Sequence, residues 1–427
     1  MTRFGRVTLL VAVALVAADS AIVVLALPQL LVRFGQPIPD TAWVVTSYNL
    51  AAAIAGAVVV IAAHRIHTRP VLIGGLVLFS AATIGCAVST SLSMLIALRA
   101  AQGVGGALTL AGALAELGAA WWAGAAAIGA AAGPALGGAL TEIFDWRAIF
   151  VVQAPVAIGA LVAALRVPSI PLSARGLGRP SSNVALALIS GALVGALFLA
   201  VVLLVEAHGL SPLRAAAVVT LLPAAALLVR RLAPRLPVEA GVVILACGLG
   251  LLALAPESLA AVAVGLAACG AGLGVCLPPT TEESGLAGVA SRHGGVVLGL
   301  LLLAPILSDD VNHNADVAKT DGIVLVVKAP VPFLDKIPLT IDLYRELRKA
   351  GHGKLPDFTS AFDKARRRDE DASAKLTALQ QALEDAQQDA IARSFKRPFA
   401  VASILALVAL VPLAGRRLAT VLRQAVA

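Results

Sequence analysis

Long, uninterrupted blocks of apolar residues are the sequence feature that most limits how this chain can fold. Hydrophobic residues make up 59% of its 427 residues and charged residues only 14%, whereas a water-soluble domain needs a more polar surface. Blocks of about 20 apolar residues match a helix that crosses the roughly 30 Å hydrocarbon layer of a bilayer. Backbone polar groups must be satisfied within that layer, and the blocks do not alternate as barrel strands do. We therefore predict membrane-spanning helices.

Twelve blocks of this kind can be identified along the chain. The predicted spans are 7–27, 43–63, 70–89, 93–118, 121–141, 147–166, 183–205, 212–231, 239–255, 258–280, 289–308 and 398–415. A polar linker, 167–182, divides six spans from six. We predict an all-α integral membrane protein of about twelve transmembrane helices in two six-helix halves. The first half is 1–166, and the second comprises 183–308 and the last helix with its tail, 398–427.

Positive charge is distributed unequally between the two sets of short loops. The set that includes both termini is rich in arginine and contains Arg3, Arg6, Arg65, Arg69, Arg166, Arg175, Arg179, Arg230, Arg231, Arg235, Arg292, Arg416, Arg417 and Arg423. The other set contains only Arg33, Arg147 and Arg214. Because lysine and arginine concentrate in cytoplasmic loops, we predict a multi-pass protein of the cell (plasma) membrane with both termini in the cytoplasm.

One long polar segment, 309–397, lies between the last two spans and is predicted to form a small helical insertion outside the cell. Within it we predict a helix over 371–393 whose apolar residues share one face: Leu376, Leu379, Leu383 and Ala386. This helix could dock a partner or cover the entrance to the membrane helices. Alternatively, the segment forms a small cap that packs on itself.

The remaining charges and the cysteines point to no further chemistry. The net charge is +8, but the basic residues are dispersed over short loops, so we predict no nucleic-acid partner. All four cysteines lie inside apolar blocks, which predicts neither a disulfide framework nor a metal site. No nucleophile–base pair or ligand set occurs at usable spacing, so we expect no enzyme activity and no cofactor.

Several short motifs follow one another in the first half. The first span contains D-S-A-I-V-V-L-A-L-P at 19–28, and the second opens with W-V-V-T-S-Y-N-L at 43–50. The fourth contains R-A-A-Q-G-V-G-G-A at 99–107. The fifth fits the pattern G-x-x-x-G-P-x-x-G-G in full, with Gly129, Gly133, Pro134, Gly137 and Gly138.

Together these motifs resemble the major facilitator superfamily, particularly its fourteen-helix multidrug:proton antiporter branch. The resemblance covers the first half well and the second half loosely, and the two middle helices of that branch have no counterpart here. It implies a secondary transporter that exports small amphipathic or lipophilic compounds in exchange for protons. The two halves would rock about a central cavity. The expected partners are a small-molecule substrate, protons and the lipid bilayer, and we predict no particular oligomeric state.

Asp19, Arg99 and Gln102 are the candidate residues for proton coupling in the transport cavity. A carboxylate inside a span costs free energy, so Asp19 should face a wet cavity or a partner. The first helix runs outward and the fourth runs inward, which places Asp19 and Arg99 at a similar depth. Asp19 is therefore either a coupling residue in the cavity or one member of a static ion pair. Gln102 could bond to substrate or to backbone.

The glycines and proline of the fifth span are the candidate residues of a helix seam. Pro134 removes a backbone donor, and Gly129, Gly133, Gly137 and Gly138 would let a neighbouring helix approach closely. Such a seam could close one conformation of a transporter and then open. A purely structural contact would need the same residues.

The loop between the second and third spans departs from the family pattern. Where the family has G-x-L-A-D-R-x-G-R, this chain has His64 at the acidic position and His67 at the glycine position, and it retains Arg65 and Arg69. The charged connection between the fourth and fifth spans is also short. These departures favour a second hypothesis, in which the chain is a membrane scaffold or sensor derived from a transporter and acts through 309–397.

Overall fold

The computed structural model describes residues 3–172, 178–350, 358–369 and 372–415, and the described residues are almost entirely helical. The first half contains α1 (Arg3–Phe34), α2 (Ile38–Ala62), α3 (Thr68–Ala87), α4 (Leu92–Leu117), α5 (Ala119–Ile143) and α6 (Ala148–Ala164). The second half contains α7 (Pro180–Val202), α8 (Pro212–Val219), α9 (Leu221–Leu232), α10 (Val238–Leu254), α11 (Leu259–Ser284), α12 (Gly288–Lys328) and α16 (Lys396–Val408). Between α12 and α16 lie α13 (Phe333–Ala350), α14 (Thr359–Arg368) and α15 (Ser373–Arg393).

Twelve membrane crossings account for the long apolar helices of the described residues. Nine helical segments are long and apolar enough to cross a bilayer, and one of them, 259–328, contains both α11 and α12. The shorter apolar helices α6 and α10 complete the set. The prediction of an all-α membrane protein with about twelve transmembrane helices is confirmed.

Each set of six membrane helices packs as a bundle. In the first, α1 packs on α5, and α4 packs on α2 and α3; in the second, α7 packs on α12 and α11 packs on α9 and α10. The two bundles meet where α2 packs on α12 and where α5 packs on α8. A central space lined by helices of both bundles lies between these two contacts.

Two helices differ from the predicted spans for local chemical reasons. The eleventh predicted span ends at 308, but α12 continues to Lys328, because 309–328 begins with a mainly polar stretch but contains no proline that would stop a helix. The eighth predicted span is divided at Thr220 into α8 and α9. Pro223 has no N–H to donate to the carbonyl four residues earlier, which breaks the helix at this position.

The segment that follows α12 forms a small helical cap, defined here as residues 326–391. Its buried apolar core is contributed by α12, α13, α14 and α15 and includes Val326, Leu339, Phe362, Leu376, Leu379 and Leu383. The helix predicted over 371–393 corresponds to α15, and its leucines face this core, with Ala386 partly buried. After the cap the chain enters α16, whose first residue, Lys396, forms a 2.7 Å ion pair with Glu257 in the α10–α11 loop. These contacts favour the self-packed cap over a free docking helix.

We expect Leu376→Ala to loosen the cap without disturbing the membrane helices. Leu376 is fully buried in the cap core, and a buried leucine truncated to alanine costs about 2–5 kcal/mol. Hydrogen–deuterium exchange of the α15 amides should accelerate, whereas exchange in α4 should not change. The exposed neighbour Thr377 provides the control Thr377→Ala. Unchanged α15 exchange in Leu376→Ala would contradict the assigned core.

Candidate functional site

A buried ion pair connects α1 and α4. Arg99 Nη1 of α4 donates to Asp19 Oδ2 of α1 over 2.6 Å, and both side chains are fully buried. A carboxylate and a guanidinium in an apolar bundle each need a partner of opposite charge. The pair therefore holds the two helices together at this depth.

Further hydrogen bonds and an aromatic ring fix the guanidinium of Arg99. Its Nε donates to the carbonyl oxygen of Val44 on α2 over 3.1 Å, and Nη1 donates to Gln102 Oε1 over 2.6 Å. The Tyr48 ring faces the guanidinium with its centroid 4.3 Å away, a cation–π geometry. Arg99 thus connects α1, α2 and α4 at one point.

Gln102 extends this cluster to two more helices. Its Nε2 donates to Thr83 Oγ1 of α3 over 2.7 Å and to Gln153 Oε1 of α6 over 3.4 Å. The structure therefore brings together the three residues predicted as the coupling site, and adds Tyr48, Thr83 and Gln153. Sequence reasoning missed these additions because single polar residues in apolar spans do not indicate which neighbour they face.

The central cavity lies beside this cluster and does not include it. It contains about 1050 Å³ of empty space, part of it open to the surroundings, and α1 contributes Ala17 and Val24 to its wall. Positions 17 and 24 are two helical turns apart and share a face, whereas Asp19 lies about 200° around the helix from Ala17. In this conformation Asp19 faces α4 and pairs with Arg99, so both predicted alternatives, a coupling residue and a static ion pair, stay open.

The wall of the cavity is apolar except for one group of polar residues. This group consists of Asn49 on α2, Arg230 on α9, and Arg292 and His293 on α12. His293 Nδ1 and Asn49 Oδ1 lie 2.7 Å apart and form a hydrogen bond between the two bundles. The position of Arg292 and His293 at the start of an apolar span was the one sequence signal for this group.

The glycines of α5 approach two different helices. A Cβ on Gly129 would overlap the carbonyl oxygen of Ala14 on α1, and one on Gly137 would lie 2.7 Å from the carbonyl oxygen of Ile22 on the same helix. A Cβ on Gly138 would instead overlap Ala216 on α8. These glycines therefore serve both the packing of the first bundle and the contact between bundles.

The other two residues of the predicted seam lie between these contacts. Gly133 and Pro134 are buried, and Pro134 lines the cavity. Residues of the α5 motif thus contact the cavity, α1 and α8 from different sides of the helix.

The residues of the altered loop lie apart from the cluster and the cavity. His64, Arg65, His67 and Arg69 are all exposed between α2 and α3. The backbone of this loop pairs with the segment after α6, where His67 and Pro171 form a bridge. The loop thus pairs with the start of the linker between the two halves. A single residue, Gly118 with φ 79°, joins α4 to α5.

We expect Gly129→Ala to destabilise the chain and Gly124→Ala to leave it intact. The added methyl of Gly129→Ala meets backbone of α1, which cannot yield without moving a helix, whereas Gly124 on the same helix has nothing within 4 Å. At Gly124 alanine should stabilise the helix by about 0.5–1 kcal/mol. Thermal unfolding of the purified variants in detergent would compare them. Equal melting temperatures would contradict the close α1–α5 contact.

We expect Asp19→Ala and Arg99→Ala to be strongly non-additive. Each single variant leaves a buried charge without its partner, which costs about 3–5 kcal/mol. The double variant removes both charges and should lose less stability than the sum of the single losses. Thermal unfolding measures all three. Additive losses would mean that the two charges do not interact.

Solved structures with the same arrangement of helices are membrane transporters. A bacterial homologue of the human lysosomal transporter Spinster, inward-facing and occupied, matches with a TM-score of 0.61 at 14% identity, covering 95% of this chain and 96% of that one. A D-xylose–proton symporter matches with a TM-score of 0.57 at 16% identity, covering 71% and 90%. At these identities the likeness establishes the fold alone.

Proteins with similar sequences are named for drug resistance and export. The methylenomycin A resistance protein of Bacillus subtilis is 31% identical over 166 residues, 35% of each chain. The cephamycin export protein CmcT of Amycolatopsis lactamdurans is 33% identical over 169 residues, 36% of this chain and 34% of that one. The multidrug resistance protein Stp of Mycobacterium tuberculosis is 34% identical over 156 residues, 34% and 29%. The matched stretch thus spans about a third of these relatives.

The family model for the Major Facilitator Superfamily matches residues 9–304. This range includes the ion-pair cluster, the α5 motif and the polar residues of the cavity. The chain belongs to the Major Facilitator Superfamily.

Proposed function

We propose that the chain is a secondary transporter that exports small amphipathic or lipophilic compounds in exchange for protons. The observation that carries this proposal is the central cavity between two six-helix bundles. Its wall is mainly apolar and receives residues from α1, α2 and α5 of one bundle and from α7, α9, α11 and α12 of the other. A site at such an interface can be exposed to either side in turn as the bundles rock.

The similar sequences support export in particular. Three of them carry names that describe drug resistance or antibiotic export, and the matched third of the chain is in each case part of a longer protein. A mainly apolar cavity also suits amphipathic compounds better than sugars, which need many hydrogen bonds.

Asp19 is the proposed coupling residue. Protonation would remove its charge and with it the attraction to Arg99, while Val44 and Gln102 would continue to hold the guanidinium. Asp19 Oδ1 has no hydrogen-bond partner among the described residues, so this oxygen is available to receive a proton. Loss of the ion pair would allow α1 to move relative to α4, and α1 also lines the cavity through Ala17 and Val24.

We place the chain in the cell membrane with both termini in the cytoplasm. The excess of arginine in the loops on the side of the termini supports this orientation. An even number of crossings then leaves the cap outside, on the side of the α10–α11 loop, which an ion pair between Glu257 and Lys396 connects to the start of α16.

We expect Asp19→Asn to abolish transport driven by a pH gradient and to leave substrate exchange intact. An amide cannot release a proton, but it can still accept the hydrogen bond from Arg99. Proteoliposomes would be tested with a panel of cationic, neutral and anionic amphipathic dyes. Two measurements are needed: accumulation against a pH gradient, and counterflow without one.

The exposed Asp40 at the start of α2 provides the matched control, Asp40→Asn, which should behave as wild type. If Asp19→Asn retains gradient-driven accumulation, the pair with Arg99 is structural and coupling lies elsewhere. Failure of well-folded wild type to move any compound would reject the transporter proposal.

A second candidate function is a membrane scaffold or sensor that acts through the cap. The observation that favours it is a groove of about 1040 Å³ between α12, α13 and α15, lined by apolar residues such as Ile323, Leu343 and Tyr344. This function predicts the opposite pattern of sensitivity. Leu376→Ala should then abolish the biological effect, while Asp19→Asn should leave it unchanged.

A further inference from the structure

The charge of the central cavity has a single sign. Arg230 and Arg292 contribute positive charge to its wall, and no carboxylate contributes to it among the described residues that line it. Asp19 of α1 is turned away from the cavity and is bound to Arg99. A cavity lined in this way repels cations and attracts anions.

Arg292 lacks a partner of opposite charge within the part of the chain that the structure describes. It is partly buried near the start of α12, and it forms no ion pair with another described residue. Of the two acidic residues at the end of α11, Glu283 is bound to Ser182 over 2.7 Å and lies 3.9 Å from Arg179, and Glu282 is exposed. An unpaired guanidinium in an apolar wall is costly, which a bound anion would relieve.

The neighbours of Arg292 suit an anionic group. His293 is held by Asn49 across the bundle interface, so that its ring is fixed beside the guanidinium. Arg230 is exposed and extends the positive charge along the wall toward α9. A guanidinium presents its N–H groups as a planar fork that matches a carboxylate, sulfonate or phosphate.

The rest of the wall suits an apolar body. Val24, Leu193, Leu197, Leu273 and Val296 face the same space, and a mainly apolar wall with a few polar groups is typical of sites for small molecules. A molecule that filled it would therefore need a bulky apolar part and one acidic group.

We infer that the substrates of this cavity are anionic amphipaths, in which an aromatic or alicyclic body carries a carboxylate, sulfonate or phosphate that pairs with Arg292. The inference rests on the proposed function, because it takes the cavity to be the substrate site. Arg230 attracts the anion at the edge of the cavity, and Arg292 binds it inside.

The test uses two probes that share one apolar body and differ in charge. These are tritiated 2-naphthoate and 2-naphthylmethylammonium, whose equilibrium binding to the full chain in lipid nanodiscs is measured against empty nanodiscs. Wild type should bind the naphthoate more tightly than the ammonium. Arg292→Gln should weaken naphthoate binding about 10- to 100-fold, which corresponds to the loss of a hydrogen-bonded charge pair. Arg292→Lys, which retains the charge, should recover part of the loss.

Arg231→Gln is the matched control, because Arg231 adjoins Arg230 in sequence and does not line the cavity. It should bind naphthoate as wild type does, whereas Arg230→Gln should bind it more weakly. Thermal unfolding of each variant shows whether it is folded, and the preference of wild type for one probe tests the inference without any variant.

Equal or tighter binding of the ammonium by wild type overturns the inference, as does binding of neither probe. A further measurement, flux of both probes in proteoliposomes, separates it from the proposed function. Transport of the ammonium alone would retain the transporter and reject the anionic substrate. Arg292-dependent binding of naphthoate without any flux would retain the anion site and reject transport.

Discussion

Close contact between helix backbones is the interaction on which this structure depends. Lipid chains are as apolar as leucine, so the hydrophobic effect does not drive membrane helices together. Van der Waals packing contributes instead, and small residues strengthen it because they let two helix backbones approach closely. In the first bundle the backbone of α1 at Ala14 packs directly against Gly129. In the second bundle the backbone of α9 at Leu222 packs in the same way against Gly270 of α11. The backbone of α7 at Ala187 likewise packs against Gly295 of α12.

Two buried arginines show how the surroundings of a charge determine its use. Arg99 has an anionic partner, Asp19, and further hydrogen bonds to Val44 and Gln102 within the first bundle, although its Nη2 has no hydrogen-bond partner among the described residues. Arg292 faces the cavity between bundles without an acidic neighbour on the wall. The first arginine is suited to hold helices together and to respond to protonation of its partner. The second is suited to bind a ligand.

Much of the fold could be predicted from the sequence because span length and apolar composition follow directly from bilayer thickness. The proximity of Asp19 and Arg99 followed from the opposite directions of α1 and α4. The direction in which Asp19 points could not be predicted, because α1 is apolar on all sides and no polar face indicates its rotation.

The polar residues that line the cavity and the full length of α12 were beyond sequence reasoning for related reasons. In the sequence, Arg292 and His293 resemble charged residues of an ordinary loop. They line the cavity only because α12 packs against α2 after the turn that follows α11. Hydropathy marks where a helix ceases to be apolar and does not mark where it ceases to be a helix. The part of α12 after 308 was therefore assigned to the insertion, although 309–328 contains no residue that ends the helix.

The length of α12 has a mechanical consequence. Its 41 residues form a rod about 60 Å long, with Arg292 near one end and the cap residue Val326 near the other. A tilt of this rod that changes the cavity also displaces the cap, with Pro305 as the one point of the rod at which a proline permits bending. Coupling of this kind is reciprocal. An antibody fragment that bound the cap and held it in place would therefore restrict the movement of α12 at the cavity.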